Sequence, residues 1–411
     1  MNKSIYLLTI LLLTASCGGK GKKADSSANE NITPKGIEYP FTIDTSKDYP
    51  LKPVSFQELF GELEYVKLET RSECYISHLL RDITVTDDYI FLIEGGTNFM
   101  RFDRNGKFLN RIGDEGRGPG EFLTITAYCI NEEAKEVYIR DGLTKTITIL
   151  DFDGKYKRHF RLPQYRTVDM DLLNDSTLII SNGTDGNHDY DPYQFVSLAD
   201  GKITGTPIER FDNPVPIINY DLFPKNSYTY DQMMFISRLN EGKVWQVSFG
   251  DDENIFSGNE KRLISNMASD TVFVLSNDGK ASPHYIKLPS NKGVQPDMRT
   301  YFRLQFETPS HAIFTYQIPG ESFKAINLNK TNGDITTTWL YNNDIDTENT
   351  FKNRITTTTS GKRVIFCHPY QAIDLINWHA EGKLSGELEK IVSTMTENDN
   401  PVLMIQKKDT F

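Results

Sequence analysis

The sequence predicts an all-β chain folded as a six-bladed β-propeller, closed by pairing of strands from its two ends. Three observations carry that expectation. A hairpin unit recurs along the chain, its copies lie near 50 residues apart, and strand-like segments without sequence neighbours stand at both termini.

The unit is an alternating apolar run, an Asx-Gly turn and a second run. Phe99–Phe102 leads to Asn105-Gly106, and Thr148–Phe152 leads to Asp153-Gly154. Phe195–Leu198 leads to Asp200-Gly201, Val272–Leu275 to Asp278-Gly279, and Ala325–Leu328 to Asn332-Gly333. Asx-Gly supplies the positive φ that a tight hairpin demands, and alternation gives each strand one face to bury. Turn glycines at 106, 154, 201, 279 and 333 are 48, 47, 78 and 54 residues apart. The long step is expected to hold one enlarged blade, with Val244–Val247 and Asp270–Val272 as strands of a single unit around an insertion. A last blade contains Arg363–Cys367, which makes six.

Closing a ring needs an edge pairing between its ends, because open edges invite association. Glu64–Leu68 and Val402–Gln406 are the strand-like candidates. Just upstream of the first, Ser55-Phe56-Gln57-Glu58 reads as a helix capping box ended by Gly61. Leu384, Leu388, Ile391, Val392 and Met395 keep helical spacing, so a helix is expected to interrupt the last blade.

Ile112-Gly113-Asp114-Glu115-Gly116-Arg117-Gly118-Pro119-Gly120-Glu121-Phe122, with Val137–Asp141 and Ile149–Lys155 after it, resembles an NHL-type repeat. The whole layout, including the terminal Asn400-Pro401-Val402-Leu403 run, resembles the six-bladed β-propeller lipoproteins of Bacteroidetes over about residues 54–408. That resemblance implies a fold and an address, and no activity.

The address is written at the N-terminus. Lys3, the apolar run Ile5–Leu13 and Thr14-Ala15-Ser16-Cys17 form a secretory signal, too short for a spanning helix. The segment resembles a bacterial lipoprotein cleavage box, which implies acylation of Cys17. The expected organisation is a signal peptide over 1–16, a lipidated flexible tether over 17–53 and one propeller domain over 54–411. Lys20, Lys22 and Lys23 make the tether basic, where surface-exported lipoproteins of Bacteroidetes carry acidic residues. The expected site is therefore the outer membrane facing the periplasm, with the cell surface as the alternative. Contact with the membrane is expected through the lipid alone.

Composition bounds the partners. The 411 residues carry 45 Lys and Arg against 56 Asp and Glu, a net charge of −11, which argues against nucleic acid as a partner. The 24 Phe, 20 Tyr and 3 Trp speak for a large packed core. Cys74, Cys129 and Cys367 form no CxxC pair and read as buried small hydrophobes.

Several clusters hold residue types suited to chemistry. Gly116–Gly120 lacks the spacing of a phosphate cradle and reads as a connection between the first two blades. Asp185, Asn187, Asp189 and Asp191 alternate oxygen-bearing side chains and could wrap calcium, although the sixth and twelfth positions of an EF-hand loop are filled by Tyr190 and Val196. No other cofactor is expected. Tyr220, Phe223, Tyr228 and Tyr230 form the densest aromatic stretch and could stack on sugar rings or grip a protein. The seven histidines form no HxxxH pair, and no GxSxG elbow occurs. The expected function is a non-catalytic binding or scaffold module for a glycan, a peptide or an envelope protein. The alternative is a metal-dependent propeller enzyme of the lactonase or lyase type, with a site on the central channel and fold analogy as its warrant.

Overall fold

A hairpin built on an Asx-Gly turn must hold its glycine in the left-handed region, and all five repeat turns do so. Gly106, Gly154, Gly201, Gly279 and Gly333 have φ of 84°, 80°, 72°, 82° and 81°. Each joins the third and fourth strands of a sheet. The computed structural model describes residues 36–77, 80–162, 167–182, 191–208, 234–239, 244–249, 255–258, 261–267, 269–294, 298–317, 324–346, 356–360 and 363–408. The chain divides into two units, and all of these residues lie in the second, Gly36–Phe411.

Six antiparallel sheets form the blades of the propeller. Blade 1 runs Leu80–Val85, Tyr89–Glu94, Asn98–Asp103 and Phe108–Arg111, and blade 2 runs Ile125–Asn131, Glu136–Asp141, Thr146–Asp151 and Tyr156–Arg161. Blade 3 is Asp169–Asn174, Thr177–Ser181, Tyr193–Ser197 and Ile203–Gly205. Blade 4 is Ile255–Gly258, Lys261–Ile264, Thr271–Leu275 and Ala281–Leu288. Blade 5 is Tyr301–Glu307, His311–Gln317, Lys324–Asn329 and Ile335–Thr338. Blade 6 takes Thr356–Ser360, Arg363–Tyr370 and Val402–Gln406 from the C-terminal part, and Leu63–Lys67 pairs antiparallel onto the last of these. First strands of neighbouring blades approach one another around the axis, as those of blades 2 and 3 and of blades 6 and 1 do.

The helices follow their sequence signals. Helix α1 spans Phe56–Phe60, its first turn capped by the Ser55 hydroxyl accepting from the Glu58 N–H and its end marked by Gly61 at φ 73°. Between the second and third strands of blade 6 the chain forms α2, Ala372–Ala380, and α3, Gly386–Val392. Leu388 and Val392 are buried on α3, while α2 is an element that the spacing did not reveal.

Two expectations need correction. Val244–Phe249 pairs with Met234–Leu239 in a two-stranded sheet of its own, separate from the sheet that holds Thr271–Leu275. The long step therefore reflects a hairpin before blade 4, and blade 4 has four strands without it. The expected tether is also too long. From residue 36 the chain is laid along the outer edges of blades 4 and 5: Phe41–Asp44 pairs in parallel with Tyr285–Leu288, and the Lys52 N–H donates to the Thr337 carbonyl. Val54–Ser55 then pairs with Leu340–Tyr341. Burial explains the ordering, since Ile43 is fully enclosed and Phe41 packs beside it on the cluster between those blades.

A buried ionic knot pins this arm. Glu307 accepts from His284 Nε2 at 3.0 Å, from the Tyr285 hydroxyl at 2.9 Å and from Lys330 Nζ at 2.6 Å. Tyr39, from the arm, stacks on the His284 ring at 3.9 Å between centroids. Burial would raise the Glu307 carboxyl, but the His284 hydrogen bond and the Lys330 charge prevail and hold it at about 2.

Two outcomes follow. Ile43→Ala should cost about 3 kcal/mol in urea unfolding, whereas a change inside a free tether would cost nothing measurable. Glu307 is held at about 2 against an ordinary 4.5, so its contribution is complete above the ordinary value and lost as pH falls through the lower one. Glu307→Gln should be less stable than the parent at neutral pH, with the gap narrowing as pH falls through that window. A gap that stays constant there would refute the role given to Glu307.

Candidate functional site

Charged side chains placed inside apolar strands mark the region where blades 3, 4 and 5 meet. Asp169 and Asp171 lie two residues apart on the first strand of blade 3, hence on one face, with buried Met170 on the other. The Asp171 carboxylate sits 3.5 Å from Arg262 Nε on the second strand of blade 4. Asp169 Oδ2 accepts the Ile255 N–H at 2.9 Å, so the first strand of blade 4 is tied to the first strand of blade 3. From the first strand of blade 5, the buried guanidinium of Arg303 lies over the Phe256 ring at 5.8 Å. The Leu304 N–H donates to the Ser265 hydroxyl at 3.1 Å.

Tyr193 is the centre of this group. Its ring is buried on blade 3, burial pushes its phenol well above the usual value, and the Asp169 charge pushes the same way. Arg303 and a hydrogen bond with Asn266 act in opposition. Residues from three blades thus act on one hydroxyl. Elsewhere around the axis, the Thr84 and Tyr128 hydroxyls join blades 1 and 2 at 2.7 Å. Arg140, fully buried on blade 2, has its guanidinium drawn down to about 10 by burial, with Asp141 opposing. Such a set can hold blades in register and offer hydrogen bonds to a polar ligand. Among the described residues, no three His, Cys, Asp or Glu side chains converge on a metal position.

Most of the sequence-predicted residues are not among the described ones. Cys17, the aromatic residues Tyr220, Phe223, Tyr228 and Tyr230, and Asp185, Asn187 and Asp189 lie outside the described residues. Asp191 is half-buried, and its carbonyl accepts from Asn182 Nδ2 at 3.0 Å. The Gly116–Gly120 segment does connect blades 1 and 2, turning back through the Gly118 N–H bonded to Glu121 Oε2 at 2.6 Å. Cys74, Cys129 and Cys367 are buried and free, and burial pushes the Cys367 thiol up to about 12. An open depression of about 610 Å³ lies at the outer edge of blade 1, lined by Arg71, Glu73, Phe108, Leu109 and Arg111. Asp169, Asp171, Arg262 and Arg303 escaped the sequence reading. Their signal was available as charges that break apolar runs, as in Tyr301-Phe302-Arg303-Leu304.

A six-bladed β-propeller is thus the class of protein that this geometry defines. Residues 40–407 match the family described as a domain of unknown function, DUF4934, and the chain belongs to that family. Among solved structures, a Bacteroides fragilis protein described as exported is 15% identical, with 89% of this chain and 100% of that chain covered and a TM-score of 0.62. A member of the DUF4221 family from Bacteroides vulgatus is 10% identical, with 84% and 98% covered and a TM-score of 0.45. No curated protein matches the chain. The likeness to the Bacteroides fragilis protein, at that identity, speaks for the fold alone.

The buried thiols give a direct check on the packing. In a chain lacking Cys17, a thiol reagent at neutral pH should leave all three cysteines unmodified until the protein is unfolded. Fast reaction in the native state would contradict the burial of the blade 2 and blade 6 strands that carry Cys129 and Cys367.

Proposed function

We propose that this chain is an envelope protein held by lipid on Cys17, and that its propeller is a non-catalytic binding or scaffold module. One observation carries the reading. The charged groups near the axis are engaged within the protein, Asp171 with Arg262 and Asp169 with the Ile255 amide, so they brace the ring and are not poised as a nucleophile and base. The signal-like N-terminus and the exported Bacteroides fragilis neighbour support an envelope location. No helix among the described residues is long and apolar enough to cross a membrane. Attachment to the outer membrane, facing the periplasm, follows from the lipoprotein-like box and the basic residues behind it.

The ligand belongs to the classes that aromatic side chains on a propeller can grip: a glycan, a peptide or an envelope protein. Tyr220, Phe223, Tyr228 and Tyr230 are the stacking groups in this proposal, and Asp185, Asn187, Asp189 and Asp191 are its calcium ligands. The test immobilises the domain without Cys17 and screens glycans, peptides and purified envelope proteins, with metal analysis and lactone hydrolysis run in parallel. Saturable binding by one class without turnover is expected. Turnover with a stoichiometric ion, and no binding, would replace this reading with the lactonase or lyase type.

A further inference from the structure

The last strand of a blade is a sheet edge, and an edge leaves alternate N–H and C=O groups without a ladder partner. Among the described residues, three of the six blades have that edge covered. On blade 1 the 69–76 turn lies over the edge, with Glu69 Oε2 accepting the Phe108 N–H at 2.9 Å and the Glu73 carbonyl accepting from Arg111. Blade 4 carries Phe41–Asp44 as a fifth strand, and blade 5 is bordered by the arm through the Thr337 N–H to Pro50 carbonyl bond. The last strand of blade 3 is only three residues long. Blade 2 differs: Tyr156–Arg161 is six residues long, ends its sheet among the described residues, and exposes every residue except Phe160.

That edge is also basic in an acidic protein. Residues 155–161 contain Lys155, Lys157, Arg158, His159 and Arg161 and no carboxylate, in a chain of net charge −11. Glu136 answers two of these cations at once, Lys157 and Arg158, each at 2.9 Å. Lys155 and Arg161 have no ion pair among the described residues. A second copy of this chain is a poor occupant, because two such edges would set like charges side by side.

We propose that the outer edge of blade 2 takes an acidic, extended segment of a partner protein as a fifth strand. Blade 4 shows that a blade of this molecule accepts such a strand. Backbone pairing supplies the ladder, while Lys155 and Arg161 select carboxylates on the incoming chain. This rests on the binding reading above and names its partner class and surface.

The test uses the domain without Cys17 and a labelled eight-residue peptide alternating valine and glutamate, followed by fluorescence anisotropy. Binding is expected at low salt. It should weaken about tenfold or more in Lys155→Glu/Arg161→Glu, with an unchanged melting temperature because both residues are exposed. The same peptide N-methylated at alternate amides, tried in both phases, should bind poorly in the phase that blocks the ladder. The proposal is overturned if both methylated peptides, or heparin, or anionic vesicles bind as tightly as the parent peptide. It is also overturned if the double variant binds the peptide undiminished, or if the parent peptide does not bind. A ligand from the earlier screen whose affinity ignores the double variant would leave the binding reading intact while removing this edge from it.

Discussion

Each blade is apolar on both faces, and no blade can bury both without a neighbour on each side. In blade 2, Tyr138, Ile147 and Ile149 pack with Met170, Leu178 and Ile180 of blade 3. Val137, Ile139 and Leu150, on the opposite face, pack with Phe91 and Phe99 of blade 1. The same division repeats around the molecule, including Ile365, Cys367, Leu403 and Ile405 of blade 6 against Ile83, Leu92 and Phe102 of blade 1. An open row of such sheets would leave an apolar face in water at each end, so packing of the last blade on the first is what makes the others stable.

The ends of the chain are held by polar contacts with narrow tolerance. Asn400 is fully buried, donates to the Glu69 and Cys74 carbonyls at 2.7 and 2.8 Å, and accepts the Ile76 N–H at 2.8 Å. One amide thereby satisfies three backbone groups that would otherwise be stranded. Near blade 6, Asn342 bonds Tyr65 and Tyr370, and Tyr65 also donates to Asp344 at 2.6 Å. The turn of blade 1 sits so close to Lys67 that a Cβ on Gly106 would collide with its carbonyl oxygen. These contacts orient the segments, while the apolar faces supply the driving force.

The fold was legible because hairpin chemistry is local. Asx-Gly turns and flanking alternation lie within ten residues of each other, and they located blades 1, 2, 3 and 5 and the outer half of blade 4. The hairpin before blade 4 is not legible as a separate sheet, because strand runs alone do not state which sheet they join. The arm is hidden for a similar reason: Phe41 and Ile43 alternate over too short a stretch to stand out from a polar segment. The axial group was harder still. Asp169, Arg262 and Arg303 are far apart in sequence, and each alone resembles an exposed charge on a strand.

The sequence by itself determined the hairpin units, their number and the cap of helix α1, since turn geometry and side-chain alternation act over a few bonds. Tertiary structure alone decided which faces meet, that the arm from residue 36 is part of the body, and that the axial charges brace blades 3 to 5. It also decided which sheet edges are covered and that, among the described residues, no strand pairs with the basic edge of blade 2. Those outcomes depend on desolvation and on pairings between residues hundreds of positions apart, and such pairings leave no local mark.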